Sequence, residues 1–119
     1  MFQAVLKDIV DGVEGGLSTL LMDFEGIALD SYSKPGAPFD INNVGIEFGV
    51  VLKSIQRAAQ SLEAGQAAEV AIQAEKMITL IRVVNASYFV AFSLAPEANI
   101  GKARYMLRTR LPQLLKELS

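Results

Sequence analysis

The sequence predicts an α/β chain of the α+β sandwich kind, a five-stranded, mostly antiparallel sheet between helices in the order α-β-β-α-β-β-β-α. Three observations carry this. Residues 44–64 and 100–118 repeat their apolar side chains at helical spacing. Five short runs between residues 17 and 94 are rich in β-branched or alternating residues and are bounded by Gly, Pro, Asn or Ser. The connections 74–76 and 85–87 are too short for anything but antiparallel pairing.

The first helix is read from Phe2, Val5, Leu6, Ile9, Val10 and Val13, which share one face, with Gln3, Lys7, Asp8 and Asp11 on the other. Gly15 and Gly16 are expected to stop it. Residues 17–23 and 27–31, joined by Phe24-Glu25-Gly26, read as a β-hairpin. Residues 32–43 hold Pro35, Gly36, Pro38 and Asp40 and read as a loop ending in helix-capping residues. The second helix, 44–64, is lined on one side by Val44, Phe48, Val51, Leu52, Ile55, Ala59 and Leu62, and Gly65 ends it. Strands 68–73, 77–84 and 88–94 follow as a meander, with 68–73 at a sheet edge. Asn99 is placed to cap the last helix, 100–118, which Pro112 is expected to kink or restart.

At 119 residues the chain has room for one domain, 1–119, and one core. It contains no His and no Cys, so it lacks the usual general base, the thiol nucleophile and the usual zinc ligands. No catalytic residue, cofactor site or metal site is expected, and the chain is not read as an enzyme. A net charge of −2 offers no basic face for nucleic acid. Charges at Lys7, Asp8, Asp11 and Glu14 argue against a signal peptide, and the apolar runs are too short to span a bilayer. A cytoplasmic protein without membrane insertion is expected.

Asp23 and Glu25 flank Phe24; a carboxylate pair can serve acid–base chemistry or a hard cation, but here it reads as a solvated turn. Gly12, Gly15 and Gly16 precede a strand, the wrong place for a phosphate loop. Lys102, Arg104, Arg108 and Arg110 make the last helix basic. They read as a polar face, and nothing marks an arginine finger.

Interaction is the better theme. Hydrophobic residues are 51% of this short chain, more than a domain with so large a surface-to-volume ratio readily hides. Gly45 and Gly49 cost the second helix about 1 kcal/mol each relative to alanine. Such bare spots admit a close neighbour, either the domain's own sheet or the helix of a second copy.

Several local stretches resemble the Roadblock/dynein light chain family, in its MglB-like bacterial branch. They are Phe24-Glu25-Gly26-Ile27-Ala28 in the hairpin, Phe89-Val90-Ala91-Phe92 in the last strand, and Asn99-Ile100-Gly101-Lys102-Ala103-Arg104 at the entry to the last helix. With the element order, the resemblance covers nearly the whole chain; Pro112 and the long 32–43 loop depart from the family pattern. The resemblance implies a Roadblock/longin-like fold. It also implies a dimer in which second helices pack together and third strands pair edge to edge. The expected interface is then Gly45, Phe48, Gly49, Leu52, Ile55 and Ala59 on the helix, with Glu69, Ala71 and Gln73 on the strand. It further implies a platform for a small Ras-like GTPase, acting without a catalytic arginine; the alternative is a structural adaptor indifferent to nucleotide state. A small-molecule sensor is disfavoured, because few polar groups converge on any apolar stretch.

Overall fold

The computed structural model describes residues 2–119. Helix α1 (Gln3–Asp11) leads into strands β1 (Gly16–Asp23) and β2 (Ala28–Ser33). A short 3-10 turn, Ile41–Asn43, precedes α2 (Gly45–Ser61), followed by β3 (Glu69–Gln73), β4 (Ile78–Val83), β5 (Tyr88–Leu94) and α3 (Ile100–Leu118). The five strands form one sheet in the order β2-β1-β5-β4-β3, with every neighbouring pair antiparallel. Because β2 and β3 lie at opposite edges, α2 carries the chain across the whole sheet and no parallel pair arises.

Period-two alternation puts an apolar set on each face of the central strands. Leu21, Ile78, Leu80, Val90, Phe92 and Leu94 pack on one face under Val5, Leu6, Ile9 and Val10 of α1 and Ala103, Met106, Leu107 and Leu114 of α3. Leu20, Met22, Ile81, Phe89 and Ala91 pack on the other, with Leu52 of α2 and Ile41. Thr19, wholly buried, donates its hydroxyl to the Leu6 carbonyl at 3.1 Å and ties α1 to β1.

The element order and all five strands match the reading from sequence; the boundaries differ for local reasons. The first helix ends at Asp11 with Gly12 as its cap, ahead of Gly15 and Gly16; a Cβ at residue 12 would stand 2.3 Å from Met106 Cε of α3, so only glycine fits there without a shift. Helix α2 ends at Ser61, since Leu62 is 79% exposed and has no core to reach, and Glu63 turns left-handed at φ 57°. The 32–43 loop is more ordered than expected. Ile41 is fully buried, and the Asp40 carboxylate accepts the Asn42 N–H at 3.0 Å. Asn99 caps α3 as expected, accepting the Lys102 N–H at 3.0 Å. Helicity runs on through Pro112, so the segment does not restart there. Pro112 is exposed, which keeps the bond missing from its nitrogen on the wet side of the helix.

Two glycines separate steric from conformational demand. A Cβ at Gly16 would lie 2.4 Å from the Val10 carbonyl oxygen, a backbone atom that yields only if α1 moves. Gly65 has φ +81°, and a Cβ there would meet nothing within 4 Å. Gly16→Ala is therefore expected to destabilise by about 2 kcal/mol or more through overpacking. Gly65→Ala should cost about 1 kcal/mol from the left-handed backbone alone. Urea unfolding of the two variants checks the order, and a larger loss at residue 65 would contradict it.

Candidate functional site

At about 100° per residue, α2 shows three stripes to its surroundings. The first faces the sheet. Leu52 is fully buried there, and Phe48, half-buried, packs against the same cluster. Gly45 is buried beside β1, where a Cβ would stand 2.4 Å from Met22 Cε and 2.6 Å from Leu20 Cδ2. A Cβ at the buried Gly49 would stand 3.7 Å from the Phe24 carbonyl oxygen. Of the two neighbours open to these glycines, the domain's own sheet is therefore the one in contact. Leu52, one of the residues that the resemblance places at an interface, is fully buried in the core of its own protomer.

The second and third stripes point away. Ile46 and Val50, one turn apart, are 61% and 58% exposed. Val51 and Leu62 are exposed on the other flank, with Ile55 and Ala59 half-buried beside them. Ile46 and Val50 were not singled out from sequence. The available signal was the i, i+4 spacing of a second apolar row, hidden by the stronger row that contains Leu52. The β1–β2 turn leans against this outward row: a Cβ at Gly26 would lie 3.4 Å from Ile46 Cγ1, and Lys53 pairs with Glu25 at 3.5 Å. Ile27 and Leu29, also exposed, extend the apolar surface beyond it.

The sheet edges differ. At β2 the Gln3 side chain donates to the Ser31 carbonyl and to Asp30 Oδ1, and Asn42 reaches Ser31 Oγ at 3.1 Å. At β3 the outer side carries no strand. Its inner side is fixed by two bonds of 2.9 Å to β4 and its flanks, Val83 N–H to the Ala68 carbonyl and Ala74 N–H to the Met77 carbonyl. Inward and outward residues alternate in an antiparallel ladder. Val70 and Ile72 therefore turn their backbone groups to β4, and Glu69, Ala71 and Gln73 turn theirs to the open edge. The three strand residues expected at an interface are thus the ones with free donors and acceptors. Ala71 and Gln73 are exposed, and Glu69 is half-buried under Arg104.

No acid–base constellation forms around these surfaces. Asp23 accepts the N–H groups of Glu25 and Ile27, each at 2.9 Å, and so shapes the turn in place of presenting a reactive carboxylate. Among the described residues no three His, Cys, Asp or Glu side chains come together as a metal site, and no helix is long and apolar enough to cross a membrane. Arg104 Nε contacts both oxygens of Glu69, at 2.9 and 3.0 Å, and Arg110 Nε bonds Asp8 at 2.5 Å.

No family model and no curated protein matches the sequence. Among solved structures, MglC from Myxococcus xanthus is similar at 35% identity over 98% of each chain, with a TM-score of 0.70. A Roadblock/LC7 domain from Streptomyces avermitilis aligns with a TM-score of 0.88 at 12% identity, over 98% of this chain and 96% of its own. MglB from Myxococcus xanthus gives 0.88 and 12%, over 98% and 94%. The last two likenesses speak for the fold alone. The likeness to MglC, over nearly the full length of both chains, carries the family, and this chain belongs to the MglB-like bacterial branch of the Roadblock/LC7 family.

Proposed function

We propose that the chain is a non-enzymatic dimeric regulator or scaffold that binds a small Ras-like GTPase and alters its nucleotide cycle in the cytoplasm, in a bacterial polarity or motility system. The observation that carries the reading is the pairing of an outward apolar row on α2 with an unpaired β3 edge in one protomer. A row of free backbone donors and acceptors is a template for another strand. A second copy satisfies it by two-fold symmetry, which meets the same patch with itself. Related proteins supply the biological setting: one solved relative is the gliding protein MglB from Thermus thermophilus, and another is MglB in a tetrameric arrangement.

The absence of His and Cys fits a role in which the partner holds the chemistry. Phosphoryl transfer depends on positioning and electrostatics that a GTPase already carries. A platform that binds the active arrangement more tightly than the relaxed one shifts the population by that difference in affinity. Arg104 and Arg110 are engaged by Glu69 and Asp8 within the protomer, which speaks against either as a finger.

Sedimentation at micromolar concentration is expected to give twice the 12.9 kDa chain mass. Ala71→Pro removes an edge donor that β4 does not use, so it should yield a folded monomer. Ile72→Pro removes a donor that β4 does use and should unfold the edge of the sheet as well. A folded Ala71→Pro dimer would remove β3 from the interface.

The nucleotide role is read by pull-down of GTP- and GDP-loaded small GTPases from the same cell, with hydrolysis measured at saturating binding. Arg104→Ala, Arg108→Ala and Arg110→Ala, one at a time, are each expected to change hydrolysis modestly. A lost arginine finger costs roughly a thousand-fold or more. Such a collapse with binding retained would overturn the mechanism, and binding indifferent to nucleotide would leave the structural adaptor.

A further inference from the structure

The sheet face opposite α2 carries a second, differently built surface. Between the β3–β4 edge and α3 runs a groove of about 350 Å³, lined chiefly by Glu69, Arg82, Arg104, Tyr105, Leu107 and Arg108. Three guanidinium groups thus share one carboxylate, in a chain whose net charge is −2. That carboxylate is already engaged by Arg104. Arg82 stands directly across the ladder from Glu69, yet its buried Nε has no hydrogen-bond partner among the described residues. A buried donor left unpaired is destabilising, and more so on a charged group.

The outer wall is similarly uncommitted. Tyr105 is 49% exposed, and its ring is bracketed by Lys102 Nζ at 5.7 Å and Arg108 Cζ at 5.6 Å from the centroid. Among the described residues neither cation takes part in an ion pair. The groove therefore has the Arg82 guanidinium in its lining, the unpaired Arg108 and an exposed aromatic ring on its wall, and Lys102 beside that ring.

We propose that this groove docks an acidic segment of a partner protein, with carboxylates against Arg82, Arg108 and Lys102 and the peptide chain over Tyr105. Charge complementarity selects this occupant, and scale separates it from other polyanions. Lys102 to Arg108 spans only about 9 Å of helix. Along the helix axis the basic patch gives way to Glu97 before it and to the Arg110–Asp8 pair after it. A duplex or an anionic bilayer needs a broad basic surface, whereas a narrow acidic peptide needs only a few matched cations. The groove lies on the sheet face opposite the outward row of α2 and touches the β3 edge assigned above to the mate only at Glu69.

The test is fluorescence anisotropy of a short labelled peptide of alternating Asp and Glu, titrated with the full chain. Binding is expected at low salt, weakening about tenfold or more as sodium chloride rises from about 50 to about 300 mM. Arg108→Glu and Lys102→Glu should each weaken it by about tenfold, the scale of one lost charge-assisted contact. Lys34→Glu makes the same change in net charge near β2, at the far edge of the sheet, and should change affinity by less than about twofold at this salt. Circular dichroism melts and sedimentation confirm that the variants keep fold and oligomeric state, which separates a failure here from a failure of the dimer. The proposal is overturned if the peptide does not bind, or if Lys34→Glu weakens it as much as Arg108→Glu. It is also overturned if phosphatidylglycerol vesicles or duplex DNA, and not the peptide, bind in a way that Arg108→Glu abolishes.

Discussion

Alternation along β1, β4 and β5 loads both faces of one sheet with apolar side chains, so both faces have to be covered. Phe89 and Phe92, three residues apart in one strand and both fully buried, point to opposite sides. The cover is unequal. One face receives two helices, locked by the Thr19–Leu6 bond and the Arg110–Asp8 pair. The other receives α2 and the Ile41 turn. A single helix with three apolar stripes cannot turn them all toward the sheet, so Ile46 and Val50 are left outside. The exposed row follows from the covering problem, and a second copy of the same surface is the simplest cover, since no further sequence has to be specified.

The same imbalance shapes the edges. Helix α1 begins beside β2, which lets Gln3 reach the Ser31 carbonyl and close that edge with a side chain. Helix α2 ends short of β3, and the chain returns through a stretch held mainly by Gln56, whose amide both donates to and accepts from the Ala67 backbone, at 3.1 and 2.8 Å. That pair aligns the start of β3 without covering its outer side. An antiparallel strand so placed must show every second backbone group to solvent or to another strand.

Element order was legible from sequence because the periods of 3.6 and 2 are strong in this chain and the short connections admit only antiparallel neighbours. The last helix was legible down to its cap, since Asn99 acts within its own turn. What escaped depends on contacts between elements. The need for glycine at residue 12, beside Met106, comes from a residue far along the chain. The roles of Leu52 and Ile46 differ by a rotation of the helix that only the sheet beneath it defines. Spacing alone sees both as apolar. Glu69, Ala71 and Gln73 were placed at the edge from sequence, but which backbone groups they present follows only from the ladder bonds at Ala68 and Ala74. The arginines read as a plain polar face, because helical spacing does not show that Arg82 of β4 comes to lie beneath Arg104 and Arg108.

Charge then divides the molecule in a way that composition conceals. Acids and bases nearly cancel over the chain, yet the cations of α3 are not all neutralised where they stand. Arg104 and Arg110 are paired with Glu69 and Asp8, while Lys102, Arg108 and the buried Nε of Arg82 are not paired among the described residues. Had the patch served only to keep α3 soluble, flexible lysines in open water would do so without burying a guanidinium nitrogen. A buried donor without a partner lowers stability in the isolated protomer, and that loss is recovered when an acceptor arrives. A protein that works through binding acts by how much better it binds one state or one partner than another. Apolar surface on α2 and unpaired charge under α3 are two different sources of such preference, set on opposite faces of one sheet.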